Sequence, residues 1–130
     1  MINEADARAW IDAYAEAWVT RDSDRIVKIY AADAVFRERP FQPARHGIEA
    51  IRTYWESLVT EGQTDVHFQL EQLAVSGDLA FFHWSAHFTW RPSNGIVELD
   101  GMSRVGFATE SRDGLRLASG FESWIDTRHR

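Results

Sequence analysis

The chain has 130 residues, 26% of them charged, with a net charge of −6 and no cysteine. That balance lacks the clustered Lys and Arg that nucleic acid or an anionic membrane requires, and the missing thiols exclude disulfides, Cys-based metal sites and a thiolate nucleophile. Hydrophobic residues at 45%, with 6 Trp and 8 Phe, exclude disorder and point to a single domain over residues 1–130 with a large core or an aromatic-lined pocket.

The acidic start, Met1 to Asp6, has no apolar run, and no later stretch is apolar enough to span a bilayer, so a cytoplasmic protein is expected. From Glu4 to Thr20, Trp10, Ile11, Tyr14 and Trp18 recur on one helical face, with Asn3 as the cap. Arg21 to Asp24 breaks that pattern and supplies a second cap, and Ile26, Val27, Ile29 and Tyr30 predict a short second helix. Ala34-Val35-Phe36 reads as a brief strand. In Arg37-Glu38-Arg39-Pro40-Phe41-Gln42-Pro43 the two prolines forbid a helix or a central strand, which leaves a charged loop. Ile48, Ile51, Trp55, Leu58 and Val59 predict a third helix over Gly47–Thr60, with Tyr54 at its margin.

Thereafter the period is two. Four strands are predicted, Asp65–Val75, Leu79–Trp90, Ile96–Ala108 and Leu115–Asp126. Ser76-Gly77-Asp78, Pro92 to Gly95 and Ser111 to Gly114 supply the turns of an antiparallel meander. Phe82, Trp84, Ala86, Phe88 and Trp90 form one apolar face of the second of these strands, and Phe81, His83, Ser85, His87 and Thr89 a mixed one. Helices can cover only one face, so the mixed face is expected to meet a second subunit, or else to stand half exposed.

Chemistry is sparse. His83 and His87 share a face but stand about 13 Å apart along a strand, too far to chelate one ion, and no metal site is predicted. Neither a Ser-His-Asp arrangement nor a Gly-rich phosphate loop is present. What remains is a set of polar groups in aromatic sequence: Tyr14, Glu38, Arg39, Asp100 and Glu122. Asp100 lies in an apolar strand on the face of Met102. It is therefore either hydrogen-bonded, neutral, facing a solvated cavity, or turned to solvent by a bulge at Gly101.

Four stretches carry a resemblance: Tyr14 to Asp22, Tyr30 to Phe36, the Gly-x-x-Ala-Ile-x-x-Tyr-Trp run at 47–55, and Leu99-Asp100-Gly101. The layout resembles the nuclear transport factor 2-like superfamily, within it the SnoaL-like proteins and ketosteroid isomerases. The resemblance implies an α+β, cystatin-like cone. Three N-terminal helices would pack on a curved antiparallel sheet, with a short strand after the second helix. A pocket between helices and sheet, and dimers through the convex sheet face, are implied as well. Tyr14 matches the tyrosine of the isomerases' oxyanion hole, and Asp100 looks like their protonated aspartic acid, a known instance of a neutral acid donating a hydrogen bond. Their general base falls where this chain has Glu38 and Arg39. The Arg-x-Asp of limonene epoxide hydrolases is replaced around Phe82-His83-Trp84, although Glu122 resembles the acid that branch carries in its last strand.

On this reading Tyr14, Asp100, Glu38 and Glu122 are the candidate catalytic groups. Trp18, Arg39, Phe41, Tyr54, Trp55, Phe82, Trp84, Met102 and Trp124 are the candidate ligand contacts. The ligand expected is a small apolar molecule bearing a carbonyl or hydroxyl, converted without a cofactor by an isomerase or cyclase using acid-base chemistry. The alternative is a non-catalytic ligand-binding or dimeric interaction module.

Overall fold

In the computed structural model, which describes all 130 residues, helix α1 runs over Glu4–Val19. Asn3 and Asp6 cap it reciprocally, each side chain accepting from the other's backbone N–H. The helical spacing turns Trp10, Ile11, Tyr14 and Trp18 inward, as expected. Asp22 caps α2, Ser23–Val27, by accepting from the N–H groups of Asp24 and Arg25.

The second helix is shorter than predicted. The Ile29 carbonyl accepts both the Ala118 N–H at 3.0 Å and the Trp10 indole N–H at 2.9 Å. Sheet pairing therefore captures Tyr30, and strand β1 spans Tyr30–Arg37 rather than three residues. Tertiary contact here overrides a local helical period. A short strand β2, Arg45–His46, pairs with β1, and Gly47, at φ +86°, turns the chain into α3, Ile48–Trp55. The last turn of the predicted third helix is a π-helical segment, Glu56–Thr60.

The four long strands are β3 Gln63–Ser76, β4 Leu79–Trp90, β5 Gly95–Arg112 and β6 Leu115–His129. Asp113 and Gly114, both at positive φ, make the two-residue turn that closes the β5–β6 hairpin. The sheet order is β2-β1-β6-β5-β4-β3. Two expectations are corrected. The sheet is open, not strongly curved, and mixed, because β1 lies parallel to β6; and α3 follows β1 and β2, so the helices do not all precede the sheet. The architecture is α+β. No helix is long and apolar enough to cross a membrane.

Helices cover one face of the sheet, called here the inner face. Phe82, Trp84, Ala86 and Phe88 of β4 are buried there, as their alternation predicts. Across the ladder, Ser103 pairs with Phe82, Gly101 with Trp84 and Leu99 with Ala86, so β5 contributes its odd-numbered residues to the core. Its even-numbered residues, Asp100 and Met102 among them, face outward.

Candidate functional site

A cavity of about 30 Å³ lies between α1, α3, the π-helical segment and the inner face of the sheet. Tyr14 reaches it from the third turn of α1 and stacks on Phe121 of β6, ring centroids 5.2 Å apart, with the Trp18 and Trp55 rings edge-on to it at 6.0 Å. Trp18 is held by its indole N–H, which donates to Gln63 Oε1 at 2.7 Å. Phe36 and Glu38, at the end of β1, close one side, and Tyr54 of α3 packs on Phe36 at 5.1 Å. Leu58 and Val59 of the π-helical segment close another.

Aromatic and aliphatic groups dominate the lining, and its polar members are few: Tyr14, Glu38, Tyr54, Gln63 and Ser123. Glu38 is the sole carboxyl, and no Lys, Arg or His borders the space. Burial holds the Glu38 carboxyl above its ordinary range, opposed by the charges of Arg39 and Arg45. The Tyr14 phenol is pushed up in turn, by burial first and by the nearby Glu38 second. The Tyr54 hydroxyl is buried without a hydrogen-bond partner, and the Arg45 guanidinium lies 4.9 Å above its ring. Buried hydroxyls are normally paired, so an orphaned one beside a cavity marks a place for a polar atom of something bound.

Of the residues singled out from sequence, Tyr14, Trp18, Glu38, Tyr54, Trp55 and Trp84 meet at this cavity. The others do not. Asp100 stands on the outer face with its side chain 70% exposed, bonded to His83 at 2.6 Å, and does not border the cavity. Met102 and Trp124 are on the same outer face, 45% and 44% exposed. Glu122 is there too, paired with Arg37 and Arg104. Phe82 is buried in the core without bordering the cavity. Arg39 is pinned outside it, donating to the Ile125 carbonyl at 3.0 Å and to Thr127 Oγ1 at 2.8 Å. Phe41, at positive φ in the loop, is fully exposed.

The physical reason for the Asp100 and Met102 misplacement is parity. Leu99, Val105 and Phe107 belong to the inward set with Trp84, and their alternation sends Asp100 and Met102 the other way. The missed members include Phe36, Gln63, Phe121 and Ser123. Ser123 had a signal, being a small polar residue two positions from Phe121 on the same face. Larger hollows, of about 640 Å³, do lie on the outer face, among them one lined by Glu71, His83, Glu98, Asp100 and Arg128. They are open to solvent, and most of their charges already pair with one another. The inner cavity, although small, is bordered by Tyr54, whose hydroxyl is unpartnered, and by the desolvated Glu38, and it is the better site.

Residues 11–115 match the sequence profile of the SnoaL-like domain. The chain belongs to the SnoaL-like family. Solved structures agree on the fold of this SnoaL-like protein. One is SalBIII, an epoxide hydrolase/cyclase-like enzyme of pyran ring formation in polyether salinomycin: TM-score 0.80, 18% identity, covering 97% of this chain and 95% of that one. A ketosteroid isomerase-like protein from Erwinia carotovora atroseptica SCRI1043 gives 0.70 at 19% identity, over 95% of this chain and 98% of that one. An epoxide hydrolase of the LEH-like type from M. tuberculosis gives 0.73 at 13%, over 94% and 84%. No curated protein matches in sequence. At such identities the likeness is one of fold, and the chemistry must come from the residues at hand.

Proposed function

We propose that the inner cavity takes a small, largely apolar molecule bearing a carbonyl or hydroxyl and that the chain isomerises or cyclises it by cofactor-independent acid-base chemistry. One observation carries this reading: a single desolvated carboxyl, Glu38, borders a largely apolar cavity that the Tyr14 phenol also lines. An acid held above its ordinary range lies closer to neutrality, where a general base works best. The Glu38 carboxylate takes a proton from the carbon next to the carbonyl. The released C–H electron pair forms the enolate double bond, and charge collects on the oxygen, where the Tyr14 O–H donates to it. The Glu38 carboxyl then returns the proton to a different carbon, which shifts the double bond and restores the base.

In this structure the rings close to leave about the room of one water. A substrate therefore enters by parting the walls, and the π-helical segment bearing Leu58 and Val59 is the wall best suited to give, since such segments carry irregular hydrogen bonding. The same reading pairs two chains through the outer face, in the cytoplasm, leaving each inner cavity intact.

The test is the conversion of 3-cyclohexenone to its conjugated isomer, followed by ultraviolet absorbance. Wild type should accelerate it and Glu38→Gln should remove most of the acceleration while still binding the ketone. Binding by both without turnover would assign the protein to ligand binding alone, and no binding by either would overturn the proposal.

A further inference from the structure

Trp84, Ser103 and Ser123 form a buried polar chain in a face that is otherwise apolar. The Trp84 indole N–H donates to Ser103 Oγ at 2.8 Å, and Ser103 Oγ lies 2.7 Å from Ser123 Oγ. Both serines are 1% exposed. Ser123 borders the cavity, whereas Ser103 does not.

Donor counting gives the chain a direction. An indole N–H can only donate, so one acceptor position of Ser103 Oγ is taken. The Ser103 proton needs an acceptor, and its one remaining partner is Ser123 Oγ. Ser103 therefore donates to Ser123, which leaves the Ser123 proton without a partner in the chain, on a residue that borders the cavity. The reverse direction would strand the Ser103 proton in a buried site with no acceptor, which costs more than leaving a proton at a cavity. Successive donation also polarises each hydroxyl and strengthens the last as a donor.

We infer that the Trp84–Ser103–Ser123 relay presents Ser123 as a hydrogen-bond donor to an acceptor oxygen of the bound molecule, with Ser103 and Trp84 as positioning residues. The inference rests on the cavity being the ligand site and names the ligand class more closely. With Ser123, Tyr14 and the orphaned Tyr54 hydroxyl all able to donate, and no cation lining the space, the fitting partner is an uncharged aromatic or alicyclic molecule with a carbonyl or enol oxygen that gains negative charge.

The experiment uses 4-chlorophenol and 4-chlorotoluene, matched in shape, of which only the first carries an oxygen. Calorimetry as a function of pH reports affinity and the preference for the phenolate. Ser123→Ala should weaken 4-chlorophenol roughly fivefold, the usual loss for one hydrogen bond to an uncharged oxygen. It should leave 4-chlorotoluene unchanged, and Ser123→Thr should restore the phenol. Equal affinity in wild type and Ser123→Ala, or equal loss for both compounds, overturns the inference. Should wild type bind neither, the cavity reading itself fails. The relay is also judged without ligand, from the Trp84 indole N–H resonance. That resonance should shift strongly on Ser103→Ala and measurably on Ser123→Ala, and no shift on Ser123→Ala overturns the relay.

Discussion

Gly101 stands directly opposite Trp84 across the β4–β5 ladder, and the Trp84 indole occupies the space that a side chain at Gly101 would need. A β-carbon there would overlap the ring, and Trp84 is 1% exposed with its N–H committed to Ser103. The close approach therefore holds the Trp84 ring, which borders the cavity and donates to Ser103.

Gly101→Ala should accordingly destabilise the fold by about 1–3 kcal/mol, the usual cost of overpacking. Trp84→Ala should cost more, roughly 3–5 kcal/mol, by leaving a hole. Urea unfolding measures both. A Gly101→Ala midpoint equal to wild type would show that the indole can move aside freely.

Much of the architecture was legible because the signals were long and periodic. Trp10, Tyr14 and Trp18 could mark only a helix face, and Phe82 to Phe88 only an inward strand face. Failures arose where the deciding contact was distant in sequence. Tyr30 fitted the helical period until Ala118 claimed the Ile29 carbonyl. The pairing of β1 with β6 joins residues as far apart in the chain as Tyr30 and Ala118 and leaves no local mark. Part of the candidate site followed from local pattern: Tyr14 and Trp18 from the aromatic stripe of α1, Glu38 from the loop, Tyr54 and Trp55 from the third helix, and Trp84 from the inward strand face. Asp100 has the residue type of a site, an acid within an apolar strand, but its parity against Leu99 sends it outward.

Tyr30 and Tyr54 both bury a hydroxyl that has no partner, but only Tyr54 borders the cavity. Tyr30→Phe should be neutral or stabilise the protein by about 1 kcal/mol, since an unsatisfied group is removed without loss of packing. Tyr54→Phe should behave alike in thermal melts and should also weaken 4-chlorophenol binding. Destabilisation of Tyr30→Phe by more than about 1 kcal/mol would reveal a partner for that hydroxyl.

The outer face carries Ile96, Met102 and Trp124, all more than a third exposed, between the paired charges of Asp100 with His83 and of Glu122 with Arg104. An apolar set rimmed by satisfied charges suits a self-complementary interface. Sedimentation at micromolar concentration should give a dimer. Trp124→Glu should shift it toward monomer with little change in the unfolding midpoint at low protein concentration. A wild-type monomer would remove the case for this interface.

The stability of the protein should carry the mark of Glu38. Its carboxyl titrates higher in the folded chain than in the unfolded one, because burial outweighs the attraction of Arg39 and Arg45. Below the unfolded value both states are protonated and the group has no effect on folding. As pH rises past it, the unfolded chain ionises first and gains free energy that the folded chain does not, so wild type loses stability until the folded carboxyl has also ionised. Glu38→Gln lacks this loss. Its advantage over wild type should therefore grow as pH rises from about 4.5, the ordinary carboxyl value, and then level off once the folded group is charged. Urea midpoints of the two proteins between mildly acidic and neutral pH measure the difference. A gap that shrinks with rising pH would mean that Arg39 and Arg45 prevail over burial and that Glu38 is held as an ion pair, unfit to take a proton from a ligand.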